Sequence, residues 1–311
     1  MQIRPEDQTV LDHVAARRSA LIGRAIDWSN INSGSRNAHG LDRVLTAIEE
    51  SLGSLPCRVE RVTTAPSSRI EDDGTEVPLT FAPALKLTLR PDAPIQIVLT
   101  GHYDTVFDAD SPFQTVGTRS DGALHGPGIA DMKGGISVLL GALEAFELHP
   151  DKAKVGWTVL LSPDEEIGSP GSAPLLAELG ARGHLGLTYE PSLPDGSLAG
   201  ARKGSGNFHV VVRGKSAHAG RAYHEGVNAI AGAARLATAL DALNGQRDGV
   251  TVNVAKISGG GALNVVADTA VVRFNVRVPD PDAADWTLAQ VQKLTSSPPI
   301  DGAAVELHGG F

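Results

Sequence analysis

The segment from Pro94 to Glu190 contains three apolar runs, and each run ends in residues that commonly bind metal ions. The runs lie at 95–100, 155–162 and 186–189, and they lead into GHYDTVF, DEEIGSPGS and YEPS respectively. Short runs rich in Val, Ile and Leu, bounded by glycine and polar residues, predict buried strands. A glycine-rich stretch between the first two runs opens a helical pattern over 132–148. The sequence therefore predicts an α/β fold with an at least partly parallel sheet, which binds ligands at the carboxyl ends of its strands.

The residues before this segment predict further helices and strands of the same domain. Helical spacing of apolar residues covers about 5–26, and a second amphipathic pattern begins at Asn37 or His39 and continues to about residue 52. The polar stretch 66–78 predicts a loop or hairpin, and 84–90 alternates as a half-buried strand. The predicted core contacts of the first helix are Leu11, Val14, Leu21 and Ile22.

From about residue 203 the pattern changes, which indicates a second domain. Strands and helices are predicted here in the order β-α-β-β-α-β, which is the order of a ferredoxin-like α+β domain. The predicted elements are 206–213, 226–243, 250–257, 267–278, 281–294 and 303–307. We therefore predict a metal-binding catalytic domain over 1–203 and a ferredoxin-like domain over 204–311.

Composition excludes several classes of protein. A net charge of −9 without basic runs argues against nucleic acid or an anionic membrane as a partner. Cys57 is the single cysteine, so an intrachain disulfide framework and a CxxC motif are excluded. The first residues carry no basic region followed by an apolar stretch, and the apolar runs are shorter than a membrane span. A soluble, cytoplasmic protein is the expectation.

His102 and Asp104 lie two residues apart at a strand end, so their side chains point to the same side. A histidine that binds a metal usually donates its other ring N–H to a carboxylate. His102 is therefore a candidate ligand and Asp104 its orienting partner. The alternative is an exposed His and Asp in a polar turn.

Each of the remaining acids also has two interpretations. Asp131 precedes a helix, so it is either an N-cap or a carboxylate that bridges two metals. Glu165 and Glu166 are either solvated acids in a turn or a metal ligand beside a residue that holds the attacking water. Glu190 is either a ligand or a helix-capping acid. Because these residues converge on strand ends, we favour the metal site, and their nitrogen and carboxylate donors suit zinc, with cobalt or manganese as substitutes.

Six ordered blocks of the sequence resemble the M20 metallopeptidase family, whose groups include glutamate carboxypeptidase, aminoacylase, acetylornithine deacetylase and succinyl-diaminopimelate desuccinylase. The blocks are GHYDTVF, HGPGIADMKGG, DEEIGSPGS, YEPS, GKSAHAG and the stretch from Asn264 to Arg277. The resemblance implies a zinc-exopeptidase-like, three-layer α/β catalytic domain and a ferredoxin-like lid and dimerisation domain. Residues 201–206, ARKGSG, look closest to the glutamate carboxypeptidase branch.

The resemblance also implies a role for each matching residue. Two Zn²⁺ ions per site are expected, held by His102, Glu190 and Glu166 and bridged by Asp131. Glu165 would be the general base, and Asp104 would orient His102. His218 would stabilise the oxyanion, often in the partner's site of a homodimer, while Asn264 and Arg277 would bind the substrate. The family also leads us to expect a cis peptide bond between Asp131 and Met132.

One departure from the family pattern concerns the end of the chain. Family members continue after the lid, and the returning segment completes the sheet and supplies a last histidine ligand, which His308 does not match. We therefore expect an incomplete catalytic domain. We expect the chain to be a piece of a longer enzyme. The alternatives are a naturally shortened or inactive homologue and a protein completed by another chain.

We predict a metal-dependent hydrolase that cleaves an amide bond of a short peptide or an N-acyl amino acid. The alternative is a non-catalytic homologue that dimerises or binds a ligand. A phosphate-binding domain built on the loop 126–135 is disfavoured, because the loop has neither GxGxxG nor GxxxxGK[ST] spacing.

Overall fold

The computed structural model describes residues 3–53 and 55–311. In this part of the chain, no helix is both long enough and apolar enough to cross a bilayer. The chain forms two compact units. The first consists of residues up to Ser67 together with Leu79–Ser197, and the second of Ser68–Pro78 together with Leu198–Phe311.

The helices are α1 Pro5–Ala16, α2 Arg18–Ser29, α3 Ala38–Glu50, α4 Lys133–Phe146, α5 Ala173–Gly180, α6 Ala229–Asp241 and α7 Pro281–Thr295. The strands are β1 Arg58–Val62, β2 Ser67–Ile70, β3 Glu76–Leu79, β4 Ala84–Leu89, β5 Ile95–His102, β6 Gly117–Thr118, β7 Leu124–His125, β8 Val155–Ser162, β9 Leu185–Thr188, β10 Gly204–Arg213, β11 Thr251–Gly259, β12 Thr269–Val278 and β13 Ala304–Gly310.

The first unit is built on a mixed sheet with the strand order β1-β4-β8-β5-β9. β5 pairs in parallel with both β8 and β9, while β4 pairs antiparallel with β1 and β8. In this register His102 lies opposite Ser162, and Thr100 lies opposite Thr188. The carboxyl ends of β5, β8 and β9 therefore meet at one edge of the sheet, as the sequence predicted.

Helices cover both faces of this sheet. On one face, Val44, Leu45 and Ile48 of α3 and Ile136 of α4 are fully buried in a core that includes Trp157 of β8. On the other face, Leu175, Leu176 and Leu179 of α5 pack with Val98 and Leu160. The arrangement confirms the predicted three-layer α/β architecture.

The helical prediction over 5–26 was wrong in two respects, the number of helices and two of the core contacts. The chain turns at Arg17, so that two helices form instead of one. Leu11 and Ile22 are exposed, while Val14 and Leu21 are half-buried. The apolar spacing identified the helices correctly, but α1 contributes no fully buried residue.

The second unit has a four-stranded sheet in the order β11-β12-β10-β13, with every neighbouring pair antiparallel. α6 and α7 pack on one face, where Ala233 and Val291 are fully buried against Phe208 and Val272. Strand order and helix placement confirm the ferredoxin-like prediction.

The hairpin of β2 and β3 packs on the opposite face of this second sheet. Ile70 is buried with Val211 and Val271. Arg273 Nη2 donates to the Ile70 carbonyl at 2.9 Å, and Arg213 Nη2 donates to the Gly74 carbonyl at 2.7 Å. We assigned residues 66–78 to the first domain, whereas Ser68–Pro78 belongs to the second compact unit. The division into domains 1–203 and 204–311 stays a prediction.

Candidate metal centre

Three side chains at the strand-end edge of the first unit form a group suited to a metal ion. His102, Asp131 and Glu190 each offer a ligand atom, and these atoms lie within 4.8 Å of one another. His102 Nε2 lies 3.0 Å from Asp131 Oδ1 and 3.6 Å from Glu190 Oε1. Within residues 3–53 and 55–311, no other group of three His, Cys, Asp or Glu side chains has this geometry.

The fold explains why these residues meet. His102 is the last residue of β5, and Glu190 follows β9, which is parallel to β5. Asp131 lies just before α4, but it is not the N-cap: Met132 occupies that position, and the helix has no side-chain cap. The capping interpretation of Asp131 is therefore wrong, and its role as a metal ligand stays a prediction.

The backbone around Asp131 is tightly packed. The Asp131–Met132 peptide bond is cis, as expected from the family resemblance. The His102 N–H points at Met132 Sδ at 3.2 Å, and a Cβ at Gly101 would lie 2.6 Å from Met132 Cε. A Cβ at Gly135, in the first turn of α4, would lie 2.0 Å from the Tyr189 carbonyl oxygen. Gly101 and Gly135 thus permit the close approach that brings Asp131 to the ends of β5 and β9.

Asp104 is fully buried and contacts both the end of β5 and the turn that follows β8. Its Oδ1 lies 3.2 Å from His102 Nδ1, and its main-chain oxygen lies 3.1 Å from the same nitrogen. Oδ1 also accepts the N–H of Glu165, and Oδ2 the N–H of Glu166, each at 3.2 Å. Two oxygens beside Nδ1 favour a proton on Nδ1, so Nε2 is the ring nitrogen that could bind a metal ion.

Glu165 and Glu166 lie in a short helical turn, Glu165–Ile167, directly after β8. Glu165 Oε2 lies 3.8 Å from His102 Nε2. The turn is held by Asp164, whose carboxylate accepts the N–H groups of Gly171 and Ser172 and the Ser172 hydroxyl. Asp164 is fully buried and had no assigned role in the sequence analysis. Its place in the acidic triplet was the only available indication of its importance.

The crowded carboxylates change one another's pKa values. Burial, followed by the charge of Asp131, raises the pKa of Glu166 to about 7. Burial also raises the pKa of Glu165 and of Asp131, and the Glu190 carboxylate raises both further. For His102, burial lowers the pKa, but Asp104 and Glu190 outweigh it and raise the value to about 11. A cation bound here would offset the repulsion among these carboxylates and stabilise their charged forms.

Lys133 is a second residue for which the sequence analysis assigned no role. Its side chain is fully buried, and Nζ donates to the Ile31 carbonyl oxygen at 2.8 Å. Burial lowers the pKa of Lys133 to about 7, against the opposing effect of Asp104. A lysine in a glycine-rich loop is ordinarily exposed, so the sequence offered no sign of this burial.

The predicted substrate-binding residues lie in the second unit, at opposite ends of its sheet. His218 forms a bridge with Val265, and the Ala219 N–H donates to the Asn264 carbonyl at 2.9 Å, so His218 and Asn264 are neighbours. Arg277 lies near the other end of β12, opposite Ser205, with its Nε donating to Asn275 Oδ1 at 3.0 Å. Since Arg277 is eight residues beyond Thr269, where β12 begins, it is about 26 Å further along the strand. Within this unit, Arg277 is therefore not brought together with His218 and Asn264.

Comparison with known proteins identifies relatives of both parts of the chain. Residues 200–302 match a family model described as a peptidase dimerisation domain. Carboxypeptidase G2 of Pseudomonas sp. (strain RS-16) is 28% identical over 311 residues, which cover 97% of this chain and 71% of the relative. Succinyl-diaminopimelate desuccinylase of Methylorubrum populi is 32% identical over 276 residues, covering 82% of this chain and 70% of the relative.

Solved structures share the fold. The aminobenzoyl-glutamate utilization protein from Klebsiella pneumoniae aligns with a TM-score of 0.68 at 16% identity, covering 97% of this chain and 77% of that chain. The M20 family metallo-carboxypeptidase Sso-CP2 from Sulfolobus solfataricus aligns with a TM-score of 0.63 at 15% identity, covering 94% and 77% respectively.

Proposed function

Because the chain belongs to the M20 metallopeptidase family, we propose that it hydrolyses an amide bond of a short peptide or an N-acyl amino acid. The observation that carries the proposal is the group of His102, Asp131 and Glu190, with the Glu165 carboxylate 3.8 Å from His102 Nε2. The names of two relatives, a carboxypeptidase and a desuccinylase, support a substrate in which an acyl group is joined to an amino acid.

The donor set fits zinc. One imidazole nitrogen and carboxylate oxygens suit Zn²⁺, and they also accept Co²⁺ or Mn²⁺. His102 and Glu190 would hold one ion, Asp131 would bridge to a second, and Glu166 would hold that second ion. When bound, such ions lower the pKa of a water molecule and polarise a carbonyl oxygen.

The protein's own residues would then move the protons. Glu165 is the proposed general base: its pKa is raised, and half of its side chain is exposed, so that it can accept a proton from water. The same carboxyl would pass the proton to the leaving amine. Asp104 would keep the Nδ1 proton of His102 in place. His218 would donate to the carbonyl oxygen as its negative charge develops, and one such donor contributes about 2.7–4 kcal/mol.

Asn264 and Arg277 would bind the carbonyl and carboxylate groups of the substrate. Because Arg277 and His218 lie at opposite ends of one sheet, we propose that they serve different active sites of a homodimer. The match to a dimerisation domain supports this arrangement.

The test combines metal analysis with a hydrolysis assay. The purified protein would be stripped of metal, titrated with Zn²⁺, Co²⁺ and Mn²⁺, and assayed on a panel of dipeptides and N-acyl amino acids. We expect zinc binding that His102→Ala abolishes, and metal-dependent release of an amino acid from at least one substrate. Metal binding without turnover would favour the non-catalytic alternative. Absence of both would contradict the proposed function.

A further inference from the structure

The loop between α2 and α3, residues 30–37, runs beside the segment that follows β5. The Ser35 N–H donates to the Thr105 carbonyl at 3.2 Å, and the Thr105 N–H donates to the Ser33 carbonyl at 2.9 Å. A Cβ at Gly34 would lie 2.4 Å from the Phe107 carbonyl oxygen, so glycine permits this close approach. These main-chain contacts fix the loop next to Asp104.

The same loop is attached to the first residue of α4, two positions after Asp131. The buried Lys133 ammonium donates to the Ile31 carbonyl at 2.8 Å. The loop therefore contacts two of the segments that carry candidate ligands, although it contains no candidate ligand itself.

One side chain of this loop reaches the candidate site. Ser35 Oγ donates to Asp104 Oδ2 at 2.7 Å, which is shorter than the bonds that Asp104 accepts from Glu165 and Glu166. A carboxylate rotates about its last side-chain bond unless its oxygens are bonded on different sides. Ser35 lies in the loop 30–37, whereas the N–H groups of Glu165 and Glu166 belong to the turn after β8. The three hydrogen bonds together therefore set the plane of the Asp104 carboxylate.

We propose that Ser35 is a positioning residue: its hydroxyl holds the Asp104 carboxylate in the orientation that aims His102 Nε2 at the metal. The proposal rests on the proposed function, because it assumes that His102 binds a metal. Carboxylates that orient ligating histidines are known to affect metal affinity strongly. Ser35 is one hydrogen bond further from the metal than such a carboxylate, because it contacts Asp104 and not His102.

Ser33 provides a matched comparison within the same loop. It is fully buried, and its Oγ has no hydrogen-bond partner among the residues that the structure describes. Removal of the Ser33 hydroxyl therefore tests the sensitivity of the loop to a serine-to-alanine change, without a change at Asp104.

The experiment compares Ser35→Ala, Ser33→Ala and the isosteric pair Ser35→Thr and Ser35→Val. For each full-length variant, we would measure the Zn²⁺ dissociation constant by competition with a chromophoric chelator, kcat and KM on the best substrate, and the thermal midpoint. We expect Ser35→Ala and Ser35→Val to weaken zinc binding by about 3- to 10-fold and to lower kcat with little change in KM. Ser33→Ala and Ser35→Thr should stay close to wild type.

Two comparisons between variants would overturn the proposal. One is a Ser35→Val zinc affinity equal to that of Ser35→Thr, because the hydroxyl would then be irrelevant. The other is an equal loss in Ser33→Ala, because the effect would then belong to the loop as a whole. A wild-type protein that binds no zinc and hydrolyses nothing would overturn the proposed function as well, whereas an active wild type with an unaffected Ser35→Ala would overturn this inference alone.

Discussion

The main-chain N–H of Glu166 donates a hydrogen bond to Asp104 Oδ2 at 3.2 Å. The other oxygen of Asp104 lies at the same distance from His102 Nδ1. One buried carboxylate therefore orients the candidate histidine ligand and also locates the turn that carries Glu165 and Glu166. Displacement of this carboxylate would alter the ligand and the proposed base together.

Glu165→Gln tests the proposed base. The amide keeps the shape and the main-chain bond to Asp104 but cannot accept the proton of water, so we expect kcat to fall about 10²- to 10⁴-fold. Zinc binding should persist, because His102, Asp131 and Glu190 remain. Steady-state kinetics and metal titration provide the two measurements. Glu178→Gln, an exposed change on α5, is the control, and a Glu165→Gln enzyme within tenfold of wild type would rule out this role.

Subunit mixing tests whether His218 acts in the partner's site. Glu165→Gln and His218→Ala should each be nearly inactive as homodimers. If the sites are shared, a mixed dimer contains one intact site, and random exchange should restore about a quarter of wild-type activity. Activity would be followed after the two variants are unfolded together and refolded. No recovery, with dimers confirmed by light scattering, would place His218 in the site of its own chain.

Gly135→Ala tests the close packing of α4 against the end of β9. The added Cβ would lie 2.0 Å from the Tyr189 carbonyl oxygen and would displace the residue before Glu190. We expect a loss of about 1–3 kcal/mol in the free energy of unfolding and weaker zinc binding. Gly23→Ala in α2 meets nothing within 4 Å, so its stability should be unchanged or raised. Wild-type stability and affinity in Gly135→Ala would contradict the packing argument.

Glu147→Gln tests a buried ion pair away from the candidate site. Glu147 accepts two bonds from Arg90, at 2.8 and 2.6 Å, and one from Trp157 Nε1 at 3.0 Å. Burial raises its pKa, but the bonds from Arg90 and Trp157 outweigh burial and lower it below the ordinary 4.5. Because the pKa of Glu147 is lower in the folded protein than in the unfolded chain, its carboxylate stabilises the folded state above pH 4.5. This stabilisation is lost as the pH falls through the pKa of the folded state.

At pH 7 the substitution should cost about 2–3 kcal/mol in the free energy of unfolding, because Arg90 loses its charged partner. The difference in the free energy of unfolding between Glu147→Gln and the wild type should become smaller as the pH falls below 4.5. Urea unfolding at a series of pH values measures it, with the exposed Glu50→Gln as the control. A difference that is independent of pH would show that the carboxylate charge of Glu147 does not contribute to stability.

Local pattern was sufficient to predict most of the framework. Residues 155–162 are apolar on both faces, which is typical of a strand covered by helices on two sides, and they form β8 at those bounds. The strand and helix order after residue 203 was enough to identify the ferredoxin-like unit. Errors occurred where burial depended on partners far away in sequence. Leu11 has helical spacing but is exposed, and Ile70 lies in a polar stretch but is buried against Val211 and Val271.

In the candidate site, the sequence was sufficient to predict candidate ligands and the proposed base, but not the residues that hold them in place. His102, Glu165 and Glu190 could be proposed because each follows an apolar run directly. Ser35, Lys133 and Asp164 could not, since their chemistry depends on contacts that no local pattern encodes. Ser35 lies 69 positions before its partner Asp104, and Lys133 lies 102 positions after Ile31.

The sequence alone determined where the strands end and which ligand-type side chains follow them, because apolar periodicity and turn residues act over a few neighbouring positions. Only the tertiary structure decided that those side chains face one another. That outcome depends on the parallel register that sets Thr100 beside Thr188, 88 positions apart. It also depends on hydrogen bonds that reach Asp104 from both directions along the chain, from the Ser35 hydroxyl and from the Glu165 N–H. The strand register and the hydrogen bonds to Asp104 both depend on packing across the whole first unit, so no single segment of the sequence specifies them.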